Sequence, residues 1–270
     1  MQSIPQPWKN WVVQNLMQGV AADKILHTML DKGFAFEPCK RLLGSNLAKD
    51  FKWQWDAEFY RKLGQIKLVQ LKNGPQLQSV QGTQLYCWPN FLSSEECAGL
   101  IALTDAKVRP SELASPTEDK YFRTSSSADL EHSDHPLIDL VNQRIADATG
   151  LNPAWGEPIQ AQRYQLGQEF KAHTDYFEPG SKEYDRHGGA RGQRSWTFMV
   201  YLNHECEGGQ TEFVRLNRTF LPETGMALIW NNLLADGSVN PYTLHHAHKI
   251  TAGAKYVITK WYRDRPYQSK

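Results

Sequence analysis

Three absences limit the classes of protein to which this chain can belong. It contains no run of about 18 apolar residues, and Pro5, Pro7 and Lys9 interrupt the segment 1–20, so neither a membrane span nor a signal peptide is predicted. The four cysteines include no CxxC pair and are sparse for 270 residues, which argues against a disulfide framework and a zinc ribbon. Lysine and arginine total 30 against 29 for aspartate and glutamate, so the chain lacks the positive field on which non-specific nucleic-acid binding depends. We therefore expect a cytoplasmic protein with reduced thiols, and neither a membrane nor a nucleic acid as its partner.

Residues 1–64 have the apolar spacing of several short helices. Gly19 and Gly33 suit helix ends, and Pro38 suits the start of a third helix. The aromatic stretch 51–60 is expected to form a fourth helix that packs against the others. Its side chains could line a peptide-binding groove, but helical spacing needs only a buried core to explain it. We predict a small all-α N-terminal domain.

The remainder of the chain, residues 65–270, is predicted to form a second domain. Ser93 and the acidic residues after it are typical of a helix start, and that helix should run through Leu103; a second helix fits Pro136–Thr149. From Ile159 onward, short apolar stretches separated by glycine, proline and asparagine predict strands. Helices followed by many short strands indicate an α+β domain with a sheet sandwich or jelly roll and helices on one side. The clearest predicted strands are Thr197–Leu202, Ala227–Trp230 and Tyr256–Tyr262.

His173 and Asp175 are two residues apart, and on a strand such residues project to the same face. They would offer two ligands to one metal. Two histidines and one carboxylate on one side of a metal leave the opposite positions open, which suits non-haem Fe(II) that must also bind an oxidant and a co-substrate. An HxD triplet alone is a weak signal in a chain with nine histidines, so a third ligand must be found elsewhere.

The segment 244–255 supplies the candidates. His245, His246 and His248 lie shortly before Lys255, which begins a predicted apolar strand. If Lys255 shares an interior face with alternate residues of that strand, it needs a partner, because an unpaired buried ammonium is costly. A bound dicarboxylate would be such a partner, whereas a lysine at an exposed strand end would need none.

Several short motifs follow one another along residues 65–270 with suitable gaps. They are Asn90–Ser93 with Glu96 and Cys97, Arg123–Ser126, Tyr164–Phe170 leading to His173 and Asp175, Tyr201–Asn203, Gly208–Phe213, and finally His245, Gly253, Lys255 and Trp261. In this order they resemble the prolyl 4-hydroxylase branch of the 2-oxoglutarate- and Fe(II)-dependent oxygenases. The resemblance implies a double-stranded β-helix core, a cupin-like jelly roll, with flanking helices.

The resemblance also implies which residues hold the iron and the co-substrate. In this family the distal histidine lies ten residues before the oxoacid-binding lysine, which selects His245 when the lysine is Lys255. His173 and Asp175 complete the metal ligands. Tyr164, Thr211, Lys255 and Trp261 are implied as contacts of 2-oxoglutarate, and Arg123, Phe170 and Arg194 as contacts of the substrate.

The activity implied by the resemblance is hydroxylation of a peptidyl residue, most simply proline, with decarboxylation of 2-oxoglutarate to succinate. Dioxygen is the implied oxidant and ascorbate the implied reductant, and a peptide or protein is the expected partner. The glycine-rich segment 178–194 is expected to be a mobile loop that closes over the substrate. Neither composition nor motifs indicate an oligomeric state.

Three positions depart from the family pattern and leave the substrate open. His246 and Lys249 stand where the family usually has a small residue and a proline, and Phe170 stands where many relatives carry tyrosine or another aromatic residue. One alternative is therefore a hydroxylase of a free amino acid or small metabolite. The other is a non-catalytic module that senses a metal or an oxoacid.

Overall fold

The computed structural model describes residues 4–32, 34, 36–48, 51, 56–68, 74–78, 81–111, 122–130, 135–188 and 192–265. Its first three helices share a core of their own. They are α1 (Gln6–Met17), α2 (Ala22–Asp31) and α3 (Phe36–Leu43), and Val12, Leu26, Met29 and Cys39 are buried between them. Helix α3 begins two residues before Pro38, and Gly33 lies outside the described residues.

Helix α4 (Ala57–Gln65) packs against the C-terminal part of the chain. The Tyr60 hydroxyl donates a hydrogen bond of 2.6 Å to Asp264, and the carbonyl of Gly64 accepts from the side chains of Gln84 and Asn231 at 2.8 and 3.1 Å. These hydrogen bonds of α4 are with residues near the large sheet, whereas Phe51, at the start of the predicted aromatic helix, packs against the core of the first three helices. The packing of α4 against those helices stays a prediction. Trp53 and Trp55 of the predicted aromatic helix lie outside the described residues.

The rest of the described chain is a mixture of two long helices and antiparallel strands. The helices are α5 (Ser94–Lys107) and α6 (Pro136–Thr149). The strands are β1 (Gln76–Leu77), β2 (Leu85–Trp88), β3 (Arg109–Pro110), β4 (Ser126–Leu130), β5 (Ile159–Tyr164), β6 (Phe170–His173), β7 (Arg194–Tyr201), β8 (Cys206–Gly208), β9 (Thr211–Phe213), β10 (Arg218–Phe220), β11 (Ala227–Asn231), β12 (His245–Ala247), β13 (Ile250–Gly253) and β14 (Lys255–Arg263).

Eight strands form one antiparallel sheet in the order β1-β2-β11-β7-β14-β5-β4-β3. A four-stranded antiparallel sheet has the order β10-β9-β12-β6, and β8 pairs with β13. Apolar residues of both larger sheets meet in one cluster, which includes Tyr164, Tyr201, Phe213, Trp230 and Val257. Two antiparallel sheets that enclose a core in this way are consistent with a jelly roll.

The opposite face of the large sheet is covered by α5 and α6. Leu100, Ile138 and Val141 of the helices pack with Phe198 and Ile258 of the sheet. Because side chains alternate along a strand, β7 and β14 can supply this helix-covered core with one set of residues and the inter-sheet cavity with the other. Among the described residues, none of the helices combines the length and the apolar composition required to cross a bilayer.

The segment 178–194 contains more local order than its glycine content predicts. Residues Tyr184–Gly188 form a π-helical turn, and the Arg263 guanidinium donates to the carbonyls of His187 and Gly192 at 2.8 and 2.6 Å. Residues 189–191 lie outside the described part of the chain. The proposed closure of this segment over a substrate stays a prediction.

Candidate metal centre and co-substrate pocket

His173, Asp175 and His245 come together at one end of the small sheet. His173 is the last residue of β6 and pairs in register with His245, the first residue of β12. Asp175 lies in the bend beyond β6, so its position is set by the turn as well as by strand alternation. One ligand atom from each of the three residues lies within 4.8 Å of the others.

Hydrogen bonds prepare both imidazoles to act as ligands. The carbonyl of Lys171 lies 2.7 Å from Nδ1 of His173, and that of Thr243 lies 2.9 Å from Nδ1 of His245. A carbonyl can only accept, so Nδ1 carries the proton in each ring and the lone pair remains on Nε2. Burial, together with the nearby His245, lowers the pKa of His173 well below its ordinary value, which keeps that ring neutral.

The carboxylate ligand is oriented by a chain of hydroxyl and amide groups. The Thr197 hydroxyl donates to Asp175 at 2.7 Å, and the Asn232 amide donates to Thr197 at 3.0 Å. Outer partners of this kind fix the direction of first ligands in metal sites. Two imidazoles and an oriented carboxylate are the donor set of non-haem Fe(II) sites with open positions, so the residues present fit that metal.

Lys255 enters the same cavity from the large sheet. Its side chain is 1% exposed, and its ammonium donates to the Gly209 carbonyl at 2.8 Å and lies 4.5 Å from the centre of the Tyr164 ring. Burial lowers the pKa of Lys255 to about 7. Among the described residues, no carboxylate lies within ion-pair distance of it. Of the two alternatives that strand alternation left open, Lys255 therefore has the interior one, for which a bound dicarboxylate is the predicted partner.

The implied co-substrate contacts occupy different positions relative to this cavity. Tyr164 and Trp261 line it together with Lys255 and the three metal-ligand candidates. The Tyr164 hydroxyl donates to Gln162 at 2.7 Å, and the buried indole nitrogen of Trp261 has no hydrogen-bond partner in the part of the chain that the structure describes. Thr211 is buried and is not among the described residues that line the cavity, and its hydroxyl accepts from Tyr201 at 2.7 Å.

The three implied substrate contacts lie around the metal site. The Phe170 ring stacks on His173 with centroids 3.5 Å apart, and the Arg123 guanidinium lies 4.9 Å from the centre of Phe170. Arg194 makes two hydrogen bonds of 2.6 and 2.8 Å to the buried carboxylate of Glu157 and lies 3.8 Å from the centre of Trp261. The Glu157 pair already uses part of the Arg194 guanidinium, so its contact with substrate stays a prediction.

Sequence reasoning missed the supporting residues Gln162, Thr197 and Gly209. Gln162 is two residues from Tyr164 on β5, so strand alternation could have placed it in the same cavity. Gly209 has φ of +68°, and an added Cβ would lie 3.2 Å from Cδ of Lys255. The positive φ and the close approach together account for glycine at this position. Thr197 has no local signal, because its role depends on Asp175 from another element.

Comparison with known proteins identifies a family to which the sequence is similar. Residues 159–263 match the model of the 2OG-Fe(II) oxygenase superfamily. The chain is 30% identical over 200 residues to a probable prolyl 4-hydroxylase 9 of Arabidopsis thaliana, which covers 66% of this chain and 68% of that protein. It is 29% identical over 180 residues to the prolyl 4-hydroxylase subunit alpha-1 of Mus musculus, covering 65% of this chain but only 34% of that subunit.

A solved structure shares the fold. The viral collagen prolyl hydroxylase of Paramecium Bursaria Chlorella virus-1, in its 2OG complex, superimposes with a TM-score of 0.53 at 22% identity, over 66% of this chain and 94% of that one. The chain belongs to the prolyl 4-hydroxylase branch of the 2OG-Fe(II) oxygenase superfamily and is an Fe(II)- and 2-oxoglutarate-dependent dioxygenase.

Proposed function

We propose that this dioxygenase hydroxylates a proline residue within a peptide or protein. The observation that carries the proposal is the presence of His173, Asp175, His245 and Lys255 around one cavity, in a chain whose relatives are named prolyl 4-hydroxylases. Hydroxylation of a free amino acid remains the alternative that the experiment below separates from it.

In this proposal, His173, Asp175 and His245 would hold the iron with their two imidazoles and the carboxylate. Iron held there together with 2-oxoglutarate would supply an oxidation in which one atom of dioxygen enters a substrate C–H bond and the other enters succinate as carbon dioxide leaves. Ascorbate is the proposed reductant that keeps the metal as Fe(II). Thr197 and the carbonyls of Lys171 and Thr243 keep the ligands oriented while substrates exchange.

The remaining pocket residues bind and orient the co-substrate. Lys255 pairs with the far carboxylate of 2-oxoglutarate through a charge-assisted hydrogen bond from its buried ammonium. Trp261 offers its unpartnered indole N–H or forms a wall of the pocket, and Tyr164 limits the space beside the ammonium. The Thr211 hydroxyl holds the Tyr201 hydroxyl by a hydrogen bond. A direct contact of Thr211 with the oxoacid would require this hydroxyl to turn toward the pocket.

The peptide substrate is proposed to pass over Phe170 and Arg123. Both side chains are partly exposed, and Phe170 covers one face of the His173 ring. An apolar ring beside a cation suits a proline ring next to the carbonyls of a polypeptide. Segment 178–194 and Arg194 are the proposed second side of this path.

The test is to supply Fe(II), ascorbate, 2-oxoglutarate and ¹⁸O₂ with a library of proline-containing peptides or with free amino acids. We expect a mass increase of one labelled oxygen on peptidyl proline, absent with the His173→Ala, Asp175→Ala double variant. Alanine in place of the responding proline is the matched substrate control. Label on free amino acids alone would overturn the peptidyl assignment.

Helices α1–α3 are proposed to form a separate all-α domain within residues 1–64, and residues 65–270 the catalytic domain with a jelly-roll core. The buried cluster that α1, α2 and α3 share among themselves supports this division. The bonds of α4 to Gln84, Asn231 and Asp264 support placing this helix on the catalytic side, although it lies mostly within residues 1–64. A cytoplasmic location is proposed as well, and the sparse cysteines support it.

A further inference from the structure

A second group of metal-ligating side chains lies on the outer face of β12. His246 and His248 are two residues apart, and the backbone N–H of His248 donates to the Gln210 carbonyl at 2.9 Å, so the extended pairing continues past the strand end. Both imidazoles therefore project to the face opposite His245. Glu212 of β9 is the register partner of His246. One ligand atom from each of His246, His248 and Glu212 lies within 4.8 Å of the others.

Carboxylates already contact both imidazoles. Nε2 of His248 lies 2.7 Å from Glu212, and Nε2 of His246 lies 3.1 Å from Glu169, which precedes β6. The two rings stack with centroids 4.1 Å apart. Lys249, whose ammonium is 3.8 Å from Glu169, is a cation that opposes a bound metal, but its side chain is 58% exposed and so can turn into solvent.

The spacing of the cluster is compatible with a bound ion. Two ligand atoms that each lie about 2.1 Å from a tetrahedral ion are roughly 3.4 Å apart. The ligand atoms here lie within 4.8 Å of one another, with Nε2 of His248 2.7 Å from Glu212. The side chains of His246, His248, Glu212 and Glu169 are between 17% and 32% exposed, so an ion can reach them from solvent. Imidazole and carboxylate ligands suit borderline divalent ions such as Zn²⁺.

We infer that His246, His248 and Glu212 bind a second divalent transition metal of the zinc class. Glu169 is a positioning residue that orients His246 by its hydrogen bond. The iron site leaves His246 and His248 without a role, and His246 is a position at which the chain departs from its family's pattern. A metal here links β9 and β12 from outside and stabilises the pairing that carries His245.

The test counts Zn²⁺ bound to the metal-stripped full-length protein by equilibrium dialysis and elemental analysis. We expect two equivalents for the unaltered protein, and one each for the His173→Ala, Asp175→Ala variant and for His248→Gln. Glu212→Gln, which keeps size and shape, should weaken the second site at least about 10-fold, the smaller end of the loss caused even by outer partners of metal ligands. His204→Gln removes an exposed histidine elsewhere and should still bind two.

Thermal unfolding supplies an independent readout. Zn²⁺ should raise the unfolding temperature of the His173→Ala, Asp175→Ala protein, and adding His248→Gln should remove that increase while the circular dichroism spectrum stays that of the folded chain. The inference is overturned if His248→Gln and Glu212→Gln leave the zinc count and affinity unchanged. The inference is also overturned if the unaltered protein binds only one equivalent of Zn²⁺ and the His173→Ala, Asp175→Ala variant binds none. Neither result depends on whether the iron site hydroxylates proline.

Discussion

Lys255 has an environment unlike that of a surface lysine. Its ammonium is buried beside two tyrosine rings, with a carbonyl as hydrogen-bond acceptor, and burial lowers its pKa to about 7. A carboxylate that enters this cavity offers the opposite charge that no described residue places within ion-pair distance of the ammonium. The residue is thus arranged for a ligand, at the expense of a desolvated charge in the ligand-free protein.

Replacing Lys255 with alanine should weaken 2-oxoglutarate binding and spare the iron. The lost charge-assisted hydrogen bond corresponds to about 1.5 to 3 kcal/mol, roughly 10-fold to 150-fold in the dissociation constant. Titration of the oxoacid into anaerobic Fe(II) protein measures this effect. An unchanged titration would place Lys255 outside the co-substrate site.

The same ammonium predicts a pH dependence. Because the pKa of Lys255 in the ligand-free protein is lowered to about 7, the lysine is charged below that pH and increasingly neutral above it. The oxoacid binds the charged form, so its affinity should fall between pH 7 and about pH 9, by up to tenfold per pH unit. Lys255→Ala should lose this slope, and an equal slope in the variant would assign the titration to another group.

The two adjacent histidines test the register of β12. His245 faces the iron ligands and His246 faces Glu169 and Glu212, because neighbouring side chains alternate. His245→Ala should abolish the visible charge-transfer absorption of an anaerobic Fe(II)–2-oxoglutarate complex, and His246→Ala should retain it. The opposite pattern would mean that the strand is displaced by one residue.

At the scale of elements, the turn between β8 and β9 supports the oxoacid pocket. Its Gly209 combines a left-handed φ with contacts that a Cβ would make to Ile250 at 2.5 Å and to Lys255 at 3.2 Å. Its carbonyl also accepts the Lys255 hydrogen bond. The turn therefore sets the position of the ammonium as well as connecting the strands.

Gly209→Ala should weaken oxoacid binding by more than its backbone strain explains. Gly167→Ala is the matched control, since Gly167 has φ of +79° and nothing within 4 Å of an added Cβ. Each change should cost about 1 to 3 kcal/mol of stability through a left-handed non-glycine residue. Only Gly209→Ala should raise the 2-oxoglutarate dissociation constant, as measured by calorimetry under anaerobic conditions. Equal 2-oxoglutarate dissociation constants in the two variants would mean that the turn does not contribute to the pocket.

At the scale of the whole molecule, local signals predicted local structure well. Helix α6 spans the predicted Pro136–Thr149, with proline at its start and Gly150 at φ of +67° after its end. Helix α5 has the expected serine cap, in a reciprocal arrangement of Ser93 and Glu96. These features depend on neighbouring residues, so periodicity and capping rules could identify them.

Contacts between distant segments could not be predicted in this way. Glu157 pairs with Arg194 across 37 positions, and Tyr60 of α4 bonds to Asp264 across 204. The burial of Lys255 was likewise undetermined, because alternation identifies a shared face but not which face is interior. Family resemblance identified His245 as the distal ligand among three nearby histidines, and strand alternation added only that His246 faces the other way.

The most direct measurement of the central claim is the fate of oxygen during 2-oxoglutarate turnover. With Fe(II), ascorbate and ¹⁸O₂, the purified protein should slowly form succinate carrying one labelled oxygen, even without a peptide. The His173→Ala, Asp175→Ala variant and a zinc-loaded sample should form none above background, since zinc has no redox chemistry. Unlabelled succinate, or labelled succinate in equal amounts from the double variant, would contradict the assignment of these residues as an iron-dependent oxygenase site.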